Sequence, residues 1–150
     1  MRVVIQRVKK ASVNVAGSTV GAINQGILVL FGVHKGDTLE DIPWLAKKIT
    51  ELRIFQDEDK KMNRSVQDIQ GQLLIVSQFT LYGDCSKGRR PGFSDALPGA
   101  EAENLYNAFV EEMQHYLGEV QTGVFGAEME VSLINDGPVT FIIDSKKNSN

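Results

Sequence analysis

Leu73-Leu74-Ile75-Val76-Ser77-Gln78-Phe79-Thr80-Leu81 is the stretch on which the reading of this chain turns. Leu73 to Val76 form a short continuous apolar run, the pattern of a strand buried in a core. Ser77, Gln78 and Thr80 then bring hydrogen-bonding side chains that packing in a buried strand does not call for. A strand from Leu73 to Leu81 is expected, stopping before Tyr82-Gly83-Asp84. Its polar end either surfaces into a loop or delivers backbone and hydroxyl groups to a pocket.

Downstream, the loop from Tyr82 to Gly99 exceeds the roughly 12–15 residues that compact domains carry without a functional reason. It interleaves Lys87, Arg89 and Arg90 with Phe93, a mixture suited to contact with RNA as well as to plain surface decoration. Cys85 has no histidine near it in sequence and reads as an incidental thiol. A helix is expected from Ala100 to Gly118, with Ala102, Leu105, Tyr106, Phe109, Met113 and Leu117 along one side and His115 outside. Thr122-Gly123-Val124-Phe125-Gly126 sets an aromatic between two glycines, which lets the backbone approach a ligand closely or merely make a bend. Met129–Ile134 and Val139–Ile143 read as two strands. Between them, Asn135-Asp136-Gly137-Pro138-Val139-Thr140 carries a Gly-Pro turn signal. An X-Pro bond can be cis for about 0.5–1 kcal/mol. Proline has no N–H, so the corner leaves carbonyls free for something other than the sheet.

Upstream, Val3 to Val8 and Val13-Asn14-Val15 read as two strands, the second followed by a turn at Ala16-Gly17-Ser18 and a strand from Val20 to Ile23. Arg7 stands among apolar neighbours, so it either faces solvent or fixes a polar group of the site or of a partner subunit. Ile27 to Phe31, bounded by Gly26 and Gly32, is a central-strand pattern. Asp37-Thr38 offers helix-capping chemistry for a helix from Leu39 to Arg53, with Pro43 tolerated in its first turn. Asp57 to Lys61 is dense in charge and reads as a turn, and Met62 to Val66 as a short edge strand. The order of strands and helices implies an α+β arrangement, strands in two layers with two helices over one side.

The chain has 150 residues, 42% hydrophobic and 23% charged, which is the composition of one ordinary globular domain. No apolar run approaches the roughly 20 residues of a membrane-spanning helix, and the chain opens directly on strand-like alternation, so a cytoplasmic location is expected. One cysteine excludes an internal disulfide, and His34 and His115 alone do not make a zinc cluster. No metal and no cofactor is expected. The formal charge of −3 argues against a broadly basic nucleic-acid binder. One basic loop on such a surface would bind RNA loosely and with strong salt dependence.

A Ser-Gln-x-Thr-Leu stretch at residues 77–81 followed by Asn-x-Gly-Pro-x-Thr at residues 135–140 resembles the D-aminoacyl-tRNA deacylases. The likeness runs from Met1-Arg2-Val3-Val4-Ile5-Gln6-Arg7-Val8 through Pro91-Gly92-Phe93 and Thr122 to Ala127 into the last strand. It implies a β/β/α build with a curved, barrel-like sheet, one domain over residues 1–150 with a frayed tail from Lys146, and a homodimer with the active site at the subunit interface. The implied substrate is the 3′ end of an aminoacylated tRNA. Ser77, Gln78, Phe79 and Thr80 form the implied catalytic strand end. Gly137 and Pro138, joined by a cis bond and contributed by the other subunit, would exclude L side chains, with Asn135, Thr140, Phe125 and Met129 completing the substrate-binding set. Lys87, Arg89 and Arg90 are the expected tRNA contacts and Arg7 a structural support. Ester hydrolysis passes through an oxyanion that fixed N–H donors can stabilise. Neither histidine lies in a motif, so the family chemistry implies help from the RNA's terminal 2′-hydroxyl, with Thr80 as an orienting group. A Thr or Ser nucleophile, and a non-catalytic RNA-binding module, are the alternatives.

Overall fold

A computed structural model of the chain describes residues 1–146. Strand β1 (Arg2–Val15) is the longest shared element, and three strands use it. Along one edge its first half pairs antiparallel with β3 (Gly26–Gly32), and its second half pairs with β2 (Ser18–Ile23) through the Ala16-Gly17 turn. Along the other edge it pairs antiparallel with the last strand, β8 (Glu130–Asp144). Between these lie helix α1 (Ile42–Glu51), the small hairpin β4 (Phe55–Gln56) with β5 (Met62–Arg64), strand β6 (Gln72–Ser77), helix α2 (Gly99–Leu117) and strand β7 (Gln121–Thr122). β3, β6 and β7 run parallel, giving a mixed sheet ordered β2-β1-β3-β6-β7 with β8 on the far edge of β1.

The sheet curls until β2 returns against β7. Gly21 makes this approach possible, since a Cβ there would lie 2.5 Å from the Thr122 carbonyl oxygen. Inside the curl Val8, Val13, Ile23, Leu28, Leu74 and Val76 form one apolar cluster. Outside it Val3, Ile5, Ile27, Val29, Phe31, Leu73 and Ile75 pack against Ile42, Leu45 and Ile49 of α1 and Phe109 and Met113 of α2. β3 and β6 are therefore covered on both faces, which is why their sequences are unbroken apolar runs rather than alternating ones. Phe31 and Phe109 stack with centroids 4.4 Å apart at the centre of the outer cluster. The barrel-like sheet with both helices on one side is the α+β, β/β/α architecture expected from the sequence.

Several expected boundaries move, each for a reason in the pairing. β1 is one strand, not two: Lys9 and Lys10 are exposed at a register shift opposite β8 rather than in a connecting turn. β6 ends at Ser77 because its parallel partner ends; Gln78 N–H makes a last bond to the Phe31 carbonyl at 2.7 Å, and Phe79–Tyr82 coils into a 3-10 turn. The Gly-Pro corner does not join two strands, since the segments on either side of it both pair with β1, Thr140 opposite Gln6 and Asn135 opposite Val8. It is an enlarged bulge in one long strand. α1 begins at Ile42, after a 3-10 turn over Leu39–Asp41 whose Asp41 carboxylate accepts the Thr38 N–H at 2.9 Å. Lys146 is tethered rather than frayed, with its ammonium 3.3 Å from Asp41 Oδ2. The rest of the expected frayed tail lies outside the described residues.

Candidate active site

Where β6 stops, its last residues open onto a cavity of about 600 Å³. Ser77, Gln78 and Phe79 form one side, and Phe125 and Met129 another. The Gln78 side-chain amide donates to the hydroxyl of Thr80, which is exposed and is not one of the residues lining the cavity. The turn itself is closed by Leu81 N–H to the Gln78 carbonyl at 3.2 Å and Gly83 N–H to the Thr80 carbonyl at 2.9 Å. The N–H groups of Phe79 and Thr80 come first in that turn, ahead of any carbonyl the turn could offer them.

Three supports hold this end of the strand. The Ile75 carbonyl accepts both the Tyr106 hydroxyl at 2.9 Å and the Gly123 N–H at 3.0 Å, tying β6 to α2 and to the segment that carries Phe125. The Tyr106 ring lies 5.6 Å from that of Phe125, so Phe125 has core on one side and cavity on the other. Burial pushes the Tyr106 phenol up to about 12, so it is a fixed donor at any ordinary pH. Arg2 donates to the Leu81 carbonyl at 3.2 Å and to Asp144 Oδ1 at 2.8 Å, with its guanidinium 5.2 Å from the Tyr82 ring centre. The bond to Asp144 raises the Arg2 pKa further, and burial, with Asp37 nearby, raises that of Tyr82.

The remaining wall was not legible in the sequence. Ala96, Leu97, Pro98 and Gly99 line the cavity with Lys35, Phe93 and Val131. The long loop is strapped down to make this wall: Lys35 N–H bonds the Asp95 carbonyl at 3.0 Å and Leu97 N–H the Val33 carbonyl at 2.9 Å. Phe93 meets Phe79 edge to face at 5.0 Å between centroids. Farther out, Asp84 and Gly92 exchange backbone bonds of 2.7 and 2.9 Å, pinching off a tip on which Lys87, Arg89 and Arg90 are exposed. They belong to the rim of the molecule and not to the cavity lining.

The second motif is elsewhere in the chain. Asn135 and Gly137 border a different, polar cavity of about 520 Å³ with Arg7, Lys9 and Gln25. The Gly137-Pro138 bond is cis. The Asn135 side chain staples the corner, accepting the Val139 N–H at 2.7 Å and donating to the Val139 carbonyl at 3.3 Å and to the Thr140 hydroxyl at 3.2 Å. Arg7 is buried, not solvent-facing; it donates to the Asp136 carbonyl at 2.8 Å and the Ile54 carbonyl at 2.7 Å. It thus anchors the corner within its own chain.

The sequence and the fold have known counterparts. Residues 4–144 match the family model described as D-Tyr-tRNA(Tyr) deacylase. The D-aminoacyl-tRNA deacylase of Thermosipho africanus is 61% identical over 147 residues, covering 98% of this chain and 99% of that protein. The D-aminoacyl-tRNA deacylase of Clostridium acetobutylicum is 57% identical with the same coverage. Among solved structures, one named c-Myc DNA Unwinding Element Binding Protein superposes with a TM-score of 0.93 at 42% identity, covering 98% of this chain and 100% of that one. A probable eukaryotic D-amino acid tRNA deacylase shares the fold, with a TM-score of 0.81 at 20% identity over 95% of this chain and 97% of that one. Matched along almost its full length by the family model and by relatives identical at more than half their positions, this chain belongs to the D-Tyr-tRNA(Tyr) deacylase family.

Proposed function

We propose that this protein hydrolyses the ester joining a D-amino acid to the 3′ end of a tRNA, as one catalytic domain acting in a homodimer. In this reading the Gly137-Pro138 corner of each subunit completes the cavity of the other. The observation that carries it is that the two motifs, each internally braced, open onto different cavities of the same chain. The strand holding the corner also presents Leu133, Ile134, Phe141 and Ile142 to solvent, Ile142 at 68% exposure, and pairs only on its β1 side among the described residues. An unpaired apolar edge of that kind is the surface a second copy would cover.

The chemistry follows from the lining. The terminal adenosine would rest against Phe125 and Met129 with the ester carbonyl at the Phe79-Thr80 N–H groups. Such donors stabilise the oxyanion of the tetrahedral intermediate, each worth about 3–4 kcal/mol. Water adds to the carbonyl carbon, the bond to the ribose oxygen breaks, that oxygen takes up a proton, and free amino acid and tRNA leave. Among the described residues of the lining there is no His, Asp or Glu to serve as general base. With no such base to activate it, the Thr80 hydroxyl, which accepts from the Gln78 amide, orients rather than attacks. The tRNA's own 2′-hydroxyl is then the group placed to relay the proton. A rigid corner rejects an L side chain by shape and leaves hydrogen unopposed, so glycyl-tRNA would also be cleaved.

The structural neighbour named for binding a DNA element favours a second reading, a nucleic-acid binder without catalysis. The formal charge of −3 weighs against tight binding of a duplex. Incubation with D- and L-tyrosyl-tRNA separates the two. Release of free tyrosine from the D form alone supports the deacylase; retention of both esters on a protein that still binds the RNA overturns it.

A further inference from the structure

The cavity at the end of β6 has a single ionisable side chain among its described lining residues, Lys35. Its backbone is fixed by the bond to the Asp95 carbonyl and by the adjoining bridge of His34 with Ala96, so the side chain leaves from a rigid strap and not from a loose loop. Among the described residues its ammonium forms no ion pair, although Asp37 and Asp41 nearby in sequence are taken by Met1 and Lys146. Lys35 is exposed, and an exposed cation without an ion-pair partner at the edge of a largely apolar cavity is free to meet an anion in the ligand.

On the deacylase reading, the ligand's reacting end is itself cationic. The α-ammonium of an aminoacyl ester would be repelled by Lys35 and must point away from it. The nearest negative charge in such a substrate is the phosphate on the 5′ oxygen of the terminal adenosine, one ribose from the ester. We propose that Lys35 is a positioning residue that binds this phosphate. The opposite charges at the two ends of the aminoacyl-adenosine then admit it in one orientation, with the ester at Ser77–Thr80. This inference rests on the deacylase reading and adds to it a requirement for the terminal phosphate.

Two small esters isolate that requirement: 2′(3′)-O-D-tyrosyl adenosine, and the same compound carrying a 5′-phosphate. With the intact protein, the phosphorylated ester is expected to show a kcat/KM about tenfold higher, expressed in KM, the lower end of what one charge-assisted contact supplies. Lys35→Met should bring the ratio of the two esters to about one, and Lys35→Arg should restore most of it. A ratio near one in the unaltered protein, or a ratio that survives Lys35→Met, overturns the proposal, including the case where both rates fall together. D-tyrosyl-tRNA run alongside distinguishes the two failures: if it is cleaved, only the role of Lys35 is lost, and if it is not, the deacylase reading falls and this inference with it.

Discussion

Arg7, almost wholly buried in β1, holds the Asp136 carbonyl at 2.8 Å and the Ile54 carbonyl at 2.7 Å, so one guanidinium ties the corner of β8 to the segment after α1. These acceptors lie in different directions, and a planar fork reaches both where an ammonium reaches one. Arg7→Ala leaves two carbonyls without their donor and should cost about 2–4 kcal/mol in urea unfolding. Arg7→Lys should recover less than half of that. If Arg7→Lys unfolds at the same midpoint as the unaltered protein, the fork geometry is not what matters.

Gly137 occupies the corner at φ +150°, where a Cβ would stand 2.6 Å from Val139 Cγ2 and 2.8 Å from the Val139 nitrogen. The second contact is with backbone and cannot be relieved by a rotamer change. Gly137→Ala should therefore displace the corner and lower stability by about 1–3 kcal/mol. On the proposed function, its cleavage of L-tyrosyl-tRNA relative to D-tyrosyl-tRNA should rise at least tenfold. An unchanged ratio in a folded variant would separate the corner from chiral selection.

Tyr106 gives a pH signature. Its folded pKa of about 12 lies above the ordinary value of 10.0, so the stability it confers is whole below pH 10 and is lost as pH rises from about 10 to 12, where the unfolded chain ionises first. Tyr106→Phe removes the bond to the Ile75 carbonyl and should cost about 1 kcal/mol at neutral pH. Because a rise from 10.0 to about 12 is worth more than ~1 kcal/mol, the gap between the two proteins should shrink above pH 9 and reverse before pH 12 in denaturant titrations. A constant gap across that range would mean that the phenol does not titrate differently in the two states.

How much of this was readable beforehand depended on whether a feature is local. The strands Ile27–Phe31 and Leu73–Val76 announce themselves because both of their faces are covered, and α2 because Leu105, Phe109 and Met113 repeat at the helical period. Ser77 and Gln78 stand out because polar side chains at the end of an apolar run contradict simple packing, and both line the cavity. Pairing between distant segments was hidden. Lys9 and Lys10 look like punctuation, yet β8 carries β1 straight through them, and the same pairing turns an apparent hairpin at Gly137-Pro138 into a bulge. Ala96 to Gly99 carry no chemistry in their side chains. They become a wall only through the bonds that bring Asp95 and Leu97 to Lys35 and Val33.

The exposed side of β8 tests the dimer. Ile142 is 68% exposed and Ile134 46%, on opposite sides of the corner, and neither belongs to the apolar clusters of the fold. A charge at Ile142 should leave the folded subunit intact, since no core contact is lost, while penalising any surface that would bury it. Sedimentation is expected to show a dimer for the unaltered protein at micromolar concentration and a shift toward monomer for Ile142→Asp, with thermal unfolding of the subunit little changed. Because each cavity would need the partner's corner, specific activity on D-tyrosyl-tRNA should then fall on dilution, with the midpoint of the fall moved to at least tenfold higher concentration in the variant. A monomer that keeps full activity on dilution would confine the site to one chain, and the corner would have to act from where it now stands, beside Arg7 and away from Ser77.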